Sequence, residues 1–126
     1  MKLDIDSLAA TLAADPQVAL AFLFGSAQNG TVRDGGDVDI GVLLSPVPTP
    51  LEFYTFYKKV ASRLPGIDDL DLVDLSRANS VLAFEAIRGK RLVVRDPEAA
   101  AGFVSLTARQ YEDDMLHTAS RHEALP

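Results

Sequence analysis

Asp37 and Asp39 stand one residue apart in Asp37-Val38-Asp39, at the mouth of the apolar run Ile40 to Leu44. Charge beside a buried strand is costly unless something cationic is held there. Successive strand side chains face opposite ways, so Asp37, Asp39, Gly41 and Leu43 share one face. Val38, Ile40, Val42 and Leu44 share the other and can enter the core. A second acidic strand, DLDLVDL (69–75), places Asp69, Asp71 and Val73 on one face, with Leu70, Leu72 and Asp74 opposite. If the two strands are neighbours, Asp71 joins Asp37 and Asp39. Carboxylates converging in this way repel each other unless cations bind. Hard divalent ions such as Mg²⁺ take a few carboxylates together with water and substrate phosphates.

Gly25-Ser26 lies ten residues before Asp37, directly after the apolar run VALAFLF. Gly25 lets the backbone approach a phosphate closely. Ser26 offers a hydroxyl and an N–H. A helical turn beginning near Ser26 would leave free N–H groups for an anion. A phosphate-gripping turn beside carboxylates suits metal-assisted attack on a nucleotide phosphate. Each part alone is weak, since D-x-D after glycines is common in turns. GSAQNG lacks the GK[ST] ending of a P-loop and the G-x-G-x-x-G of a dinucleotide site. DGGDVDIGVL lacks the frame and closing Glu of an EF-hand. The combination carries the signal.

These residues need elements to position them. LDIDSLAATLAAD reads as a short helix with Asp6 or Ser7 as N-cap and Pro16 beyond its end. VALAFLF (18–24) is a buried strand, GSAQNGTVRDGG (25–36) a glycine-rich loop with room for one helical turn, and DVDIGVLL (37–44) the next strand. Thr49-Pro50-Leu51-Glu52 is a capping box with proline at the first helical position. Its helix runs to about Leu64 on the periodicity of Phe53, Phe56, Tyr57, Val60, Ala61 and Leu64. Pro65-Gly66 ends it before the strand 69–75. Residues 79–88 form a short helix stopped by Gly89, RLVV (91–94) a fourth strand, and Asp96 caps a last helix reaching about His117. The order α-β-β-α-β-α-β-α predicts an α+β domain around one small mixed sheet.

The totals fit one soluble domain spanning 1–126. Net charge is −6, which argues against a protein that coats nucleic acid directly. There is no cysteine, excluding a disulfide framework and a thiolate zinc site. His117 and His122 are too few for a His-rich metal site. No apolar segment is long enough to span a membrane, and the acids in MKLDIDSLAA are foreign to a secretory signal. The expected location is the cytoplasm.

The GS-x10-D-x-D spacing from Gly25-Ser26 to Asp37-Val38-Asp39 resembles the signature of the DNA polymerase β-like nucleotidyltransferases. With its short length and the strand LDLVDL (70–75), the chain looks most like the minimal nucleotidyltransferases, the MntA-type antitoxins of HEPN–MNT toxin–antitoxin pairs. The resemblance runs from about Val18 to Val94. It implies a polymerase β-like palm with Gly25 and Ser26 at the phosphates of ATP. Asp37 and Asp39 are implied as Mg²⁺ ligands. Asp71 falls at the family's third carboxylate, completing the metal site beside the attacking hydroxyl. The implied activity is transfer of AMP from ATP to a tyrosine of a cognate HEPN ribonuclease toxin, which binds as a hetero-oligomeric partner and is silenced. The loop departs from the family's G-S-x-A-R-G: Gln28-Asn29-Gly30 carries no base, and Arg33 follows later. Gly36 stands where serine usually precedes the first aspartate.

Two rivals stay open: an antitoxin that acts by binding alone, and a nucleotidyltransferase acting on a small molecule. The latter usually carries an extra helical domain, for which 126 residues leave little room. Tyr54 and Tyr57 are expected to pack in or near the core. Asp113-Asp114 and the two histidines are expected on a solvated surface. Lys58-Lys59 and Arg88-Lys90-Arg91 are expected as exposed charges, one of which could meet an ATP phosphate. Ala99, Ala100, Phe103, Val104, Leu106 and Leu116 make the last helix the best candidate for a partner surface.

Overall fold

The computed structural model describes residues 2–33 and 36–124, with side chains through residue 118. Residues 34 and 35 of the glycine-rich loop and the His122 side chain lie outside that description.

The elements follow the expected order. Helix α1 (Ile5–Ala13) precedes strand β1 (Val18–Phe24), a 3₁₀ turn (Gly25–Asn29) and strand β2 (Val38–Leu44). Then come α2 (Pro50–Ser62), β3 (Leu70–Asp74), α3 (Ser80–Ile87), β4 (Lys90–Val94) and α4 (Pro97–Ala124). Side chains that accept backbone N–H bonds start the helices. Thr49 and Glu52 close a reciprocal capping box on α2. Asn79 Oδ1 accepts from Leu82 N at 2.9 Å to open α3. Asp96 accepts from Glu98 N and Ala99 N to open α4. The α1 cap is Asp4, accepting from Ser7 N at 3.0 Å, not Asp6 or Ser7. Asp4 is the first acid of LDID, and it can reach the free N–H of the first turn only from outside the helix. Helix α2 ends at Ser62, a little short of Leu64, while α4 runs past His117.

The strands form one mixed sheet in the order β3-β2-β1-β4. Strand β1 is antiparallel to both neighbours, and β2 runs parallel to β3. Helices cover both faces. On one side Leu8 and Leu12 of α1 and Phe56 and Val60 of α2 pack against Ala21, Leu23, Ile40, Val42 and Leu72. On the other, Ala86 of α3 and Ala100, Phe103 and Val104 of α4 pack against Leu20, Phe22 and Phe24. Central strands buried on both faces must be continuously apolar, which is why β1 and most of β2 do not alternate.

Gly41 sets how close α3 comes to the sheet. A Cβ there would meet Leu75 Cδ2 at 2.9 Å and Ala86 Cβ at 3.1 Å. Its absence lets α3 lie low over the face that carries Asp39. Phe84 of α3 stacks flat on Tyr111 of α4, with centroids 4.0 Å apart, so the two helices are tied together. No helix of the described residues is long and apolar enough to cross a membrane.

Candidate active site

The site forms where β1 ends and β2 begins. Phe24, the last residue of β1, is the ladder partner of Asp39. Gly25 therefore leaves the sheet directly beside Asp39. Its φ is +73°, and a Cβ would fall on the Asp39 carboxylate oxygen Oδ2. Only glycine combines that left-handed backbone with that contact. The chain then coils into the 3₁₀ turn, which is the helical turn expected in this loop. Ser26 is exposed on it, and Ala27 is buried beneath. The Ser26 hydroxyl makes no hydrogen bond among the described residues.

Parallel pairing of β2 with β3 puts Asp39 opposite Asp71 in register. The neighbour relationship that sequence parity required is thus present, and Gly41 and Val73 continue the same face. Asp37 precedes β2 and is exposed; Asp71 is exposed as well, and Asp39 is half-buried. Burial raises the Asp39 carboxyl above its ordinary value of 3.8, and the charges of Asp71 and Asp37 add to the rise. A hydrogen bond with Asp71 and the charge of Glu85 act in the same direction. The site is short of positive charge, which is the electrostatic condition for holding a cation. Among the described residues no three His, Cys, Asp or Glu side chains come together as a group that could hold a metal ion. A site for Mg²⁺ does not require one, because that ion is usually held by one or two carboxylates with water and substrate phosphates.

Glu85 was not marked by the sequence reading. It lies on α3 and reaches the site because α3 settles over Gly41. With Arg88 it lines a cleft of about 310 Å³, whose other walls are Phe24, Gly25, Gln28 and Gly89.

The remaining candidates stay apart. Asp74 faces away from the carboxylates and binds Ser76 and Arg77 instead. Asp69 lies at the β3 entrance, where its carbonyl accepts from Val38 N. Tyr57 is half-buried and donates to the Leu70 carbonyl at 3.2 Å. Tyr54, expected to pack in or near the core, is 53% exposed. It stands on the outer side of α2 beneath the Lys58 ammonium, 5.0 Å from the ring centroid. Lys59, expected as an exposed charge, is half-buried in an ion pair with Asp15. On α4, Ala100, Phe103 and Val104 are spent on the sheet, while Leu106 and Leu116 stay exposed.

Residues 6–98 match the family model described as Polymerase beta, Nucleotidyltransferase. The chain belongs to this nucleotidyltransferase family. It is 37% identical over 78 residues to the protein adenylyltransferase MntA of Shewanella oneidensis. That match covers 61% of the chain and 55% of the relative, so the chain spans about half the length of this curated protein. Its fold is similar to a crystal structure of a toxin–antitoxin with AMP-PNP, with a TM-score of 0.77, 27% identity and coverage of 96% and 97% of the two chains. A toxin–antitoxin MntA–HpeT carrying a tyrosine-to-alanine change matches at TM-score 0.77 and 27% identity over 97% of each chain. The nucleotidyltransferase fold is therefore the α+β arrangement expected, with the Gly25 turn and the Asp39–Asp71 pair inside the matched residues.

Proposed function

We propose that this nucleotidyltransferase moves AMP from ATP onto a tyrosine hydroxyl of a HEPN-family toxin and so serves as its antitoxin. One observation carries the reading: the Asp39–Asp71 pair, crowded with negative charge, lies directly against the glycine turn, where the missing Cβ of Gly25 makes room for the Asp39 carboxylate. Similarity to a protein adenylyltransferase and to toxin–antitoxin structures supports protein as the acceptor class.

In this reading the triphosphate of ATP rests on Gly25 and Ser26. Gly25 lets the turn close against Asp39, and Ser26 adds its free hydroxyl and N–H. Asp37, Asp39 and Asp71 would hold Mg²⁺. Bound there, the ion offsets triphosphate charge and makes a nearby hydroxyl more acidic. Asp71 accepts the proton of the tyrosine hydroxyl. The tyrosine oxygen bonds to the α-phosphorus, the bond from that phosphorus to the β-phosphate oxygen breaks, and pyrophosphate leaves. The 126 residues act as one domain, in the cytoplasm, without direct nucleic-acid contact, in keeping with the net charge of −6.

The test is the intact mass of the cognate HEPN protein after incubation with this chain, ATP and Mg²⁺. Each AMP adds about 329 Da through attack at the α-phosphorus. The gain is expected with the wild type and absent with Asp37→Ala/Asp39→Ala. No gain from proteins that still co-purify would overturn the catalytic reading and leave an antitoxin that works by binding.

A further inference from the structure

The α3–β4 junction carries basic residues Arg88, Lys90 and Arg91, and the structure separates them. Arg88 lines the cleft with Gly25, Gln28 and Glu85. Lys90 lines a different hollow, together with Lys2, Asn29 and Thr31. Arg91 is exposed on β4, opposite Phe22 in the ladder. Among the residues of the Gly25 cleft, Arg88 is the cation.

The glycine turn itself brings no positive charge. Its Asn29 is committed to the backbone, with Oδ1 accepting from Thr31 N at 3.1 Å. Asn29 also lines the Lys90 hollow rather than the Gly25 cleft. A triphosphate placed on Gly25 and Ser26 would meet Asp37, Asp39, Asp71 and Glu85 with no cation from the 3₁₀ turn Gly25–Asn29. Arg88 is available for that task. No carboxylate among the described residues pairs with it. Its guanidinium lies 5.7 Å from the centroid of the Phe84 ring, which in turn stacks on Tyr111. Stacking on an aromatic face holds a guanidinium in place without using its N–H donors. Those donors suit phosphate oxygens, which a planar fork can grip in pairs.

We infer that Arg88 is a nucleotide-binding residue of this site, gripping the ATP phosphates from α3 in place of a base in the glycine turn. The inference rests on the proposed nucleotidyl transfer and goes beyond it by naming the cation and its element. Arg88 is exposed, and its exchange leaves the α3 packing residues Leu82, Ala83 and Ala86 untouched.

The experiment is a calorimetric titration of the full chain with AMP-PNP and Mg²⁺, comparing wild type, Arg88→Gln, Arg88→Lys and Lys90→Gln. Loss of a charged hydrogen-bonding group predicts about tenfold weaker binding for Arg88→Gln. Arg88→Lys should recover part of the loss, and Lys90→Gln should stay within about twofold, since both glutamine variants shift net charge equally. Wild-type affinity in Arg88→Gln, or an equal loss in Lys90→Gln, would overturn the role of Arg88 and leave the proposed function standing. Failure of the wild type to bind AMP-PNP at all would remove both.

Discussion

Gly25 and Asp39 compete for one volume: the position a Cβ would take on residue 25 is filled by Oδ2 of Asp39. The Gly25 turn and the carboxylate pair are therefore built as a single unit. Gly25→Ala must either push the Asp39 carboxylate away from Asp71 or unwind the turn. A displacement of about 1 Å in a reacting group costs on the order of a hundredfold in rate. Gly25→Ala should slow AMP transfer by about that factor, while thermal unfolding shows that the chain still folds. Transfer at the wild-type rate would mean that the turn and Asp39 are not coupled.

Asp39 should also report its surroundings through stability. Its carboxyl is raised above 3.8, so the folded chain binds a proton there more tightly than the unfolded chain. Where the folded state holds more protons, stability falls as pH rises. In metal-free buffer, ionised Asp39 therefore weakens the fold at pH 7. Asp39→Asn should raise the Tm at pH 7, and the gain should vanish as pH falls below about 3.8. Mg²⁺ with AMP-PNP should raise the wild-type Tm and leave Asp39→Asn nearly unchanged. A lower Tm for Asp39→Asn at pH 7 would contradict the electrostatic picture.

The neighbours of Asp39 contribute unequally. Burial comes first, then the charge of Asp71, then that of Asp37, with Glu85 last. Carboxyl titration by carbon NMR should follow that order. Asp71→Asn should move Asp39 furthest back toward its ordinary value, Asp37→Asn less, and Glu85→Gln least. An equal shift from all three would make Glu85 as close a neighbour as Asp71, against the ladder register.

Much of this site could be read before the fold was known, because it follows from local rules. Strand parity puts Asp39 and Asp71 on equivalent faces, and the unbroken apolar runs mark strands covered on both sides. Parity does not say that β2 and β3 are neighbours; that depends on α2 carrying the chain back to run parallel. Glu85 was not recognisable as a site residue, and Arg88 was only one of several bases that could meet a phosphate, because their approach depends on α3 docking over Gly41, a contact between distant segments. Asp4, Asp6 and Ser7 are all plausible caps by type, and only the backbone separates them. The Asp15–Lys59 pair was hidden for a similar reason. Asp15 reads as the acid before a helix-ending proline, and Lys59 as one of many surface bases.

That pair makes a claim about the fold alone. Asp15 is 5% exposed, and Lys59 reaches it from α2 across to the α1–β1 connection. Burial by itself would raise the Asp15 carboxyl. The Lys59 hydrogen bond, the Gln17 N–H and the charges of Lys59 and Arg63 outweigh burial and hold it below 3.8. Asp15 Oδ2 has Lys59 as its charge partner and no other hydrogen bond among the described residues. Lys59→Met would strand a buried carboxylate. The cost should be about 1–2 kcal/mol, below that of a fully buried pair because the Lys59 side chain is 39% exposed to screening solvent. A depressed carboxyl stabilises the fold above its unfolded value and loses that contribution as pH falls through the folded value. The stability gap between wild type and Lys59→Met, measured by urea unfolding, should be full at pH 7 and close as pH falls below about 4. The site carboxylates are untouched, so AMP-PNP binding to the folded variant should match the wild type. A gap that persists unchanged at low pH would assign the loss to the contact of the Lys59 ammonium with the Phe56 ring rather than to its pairing with Asp15.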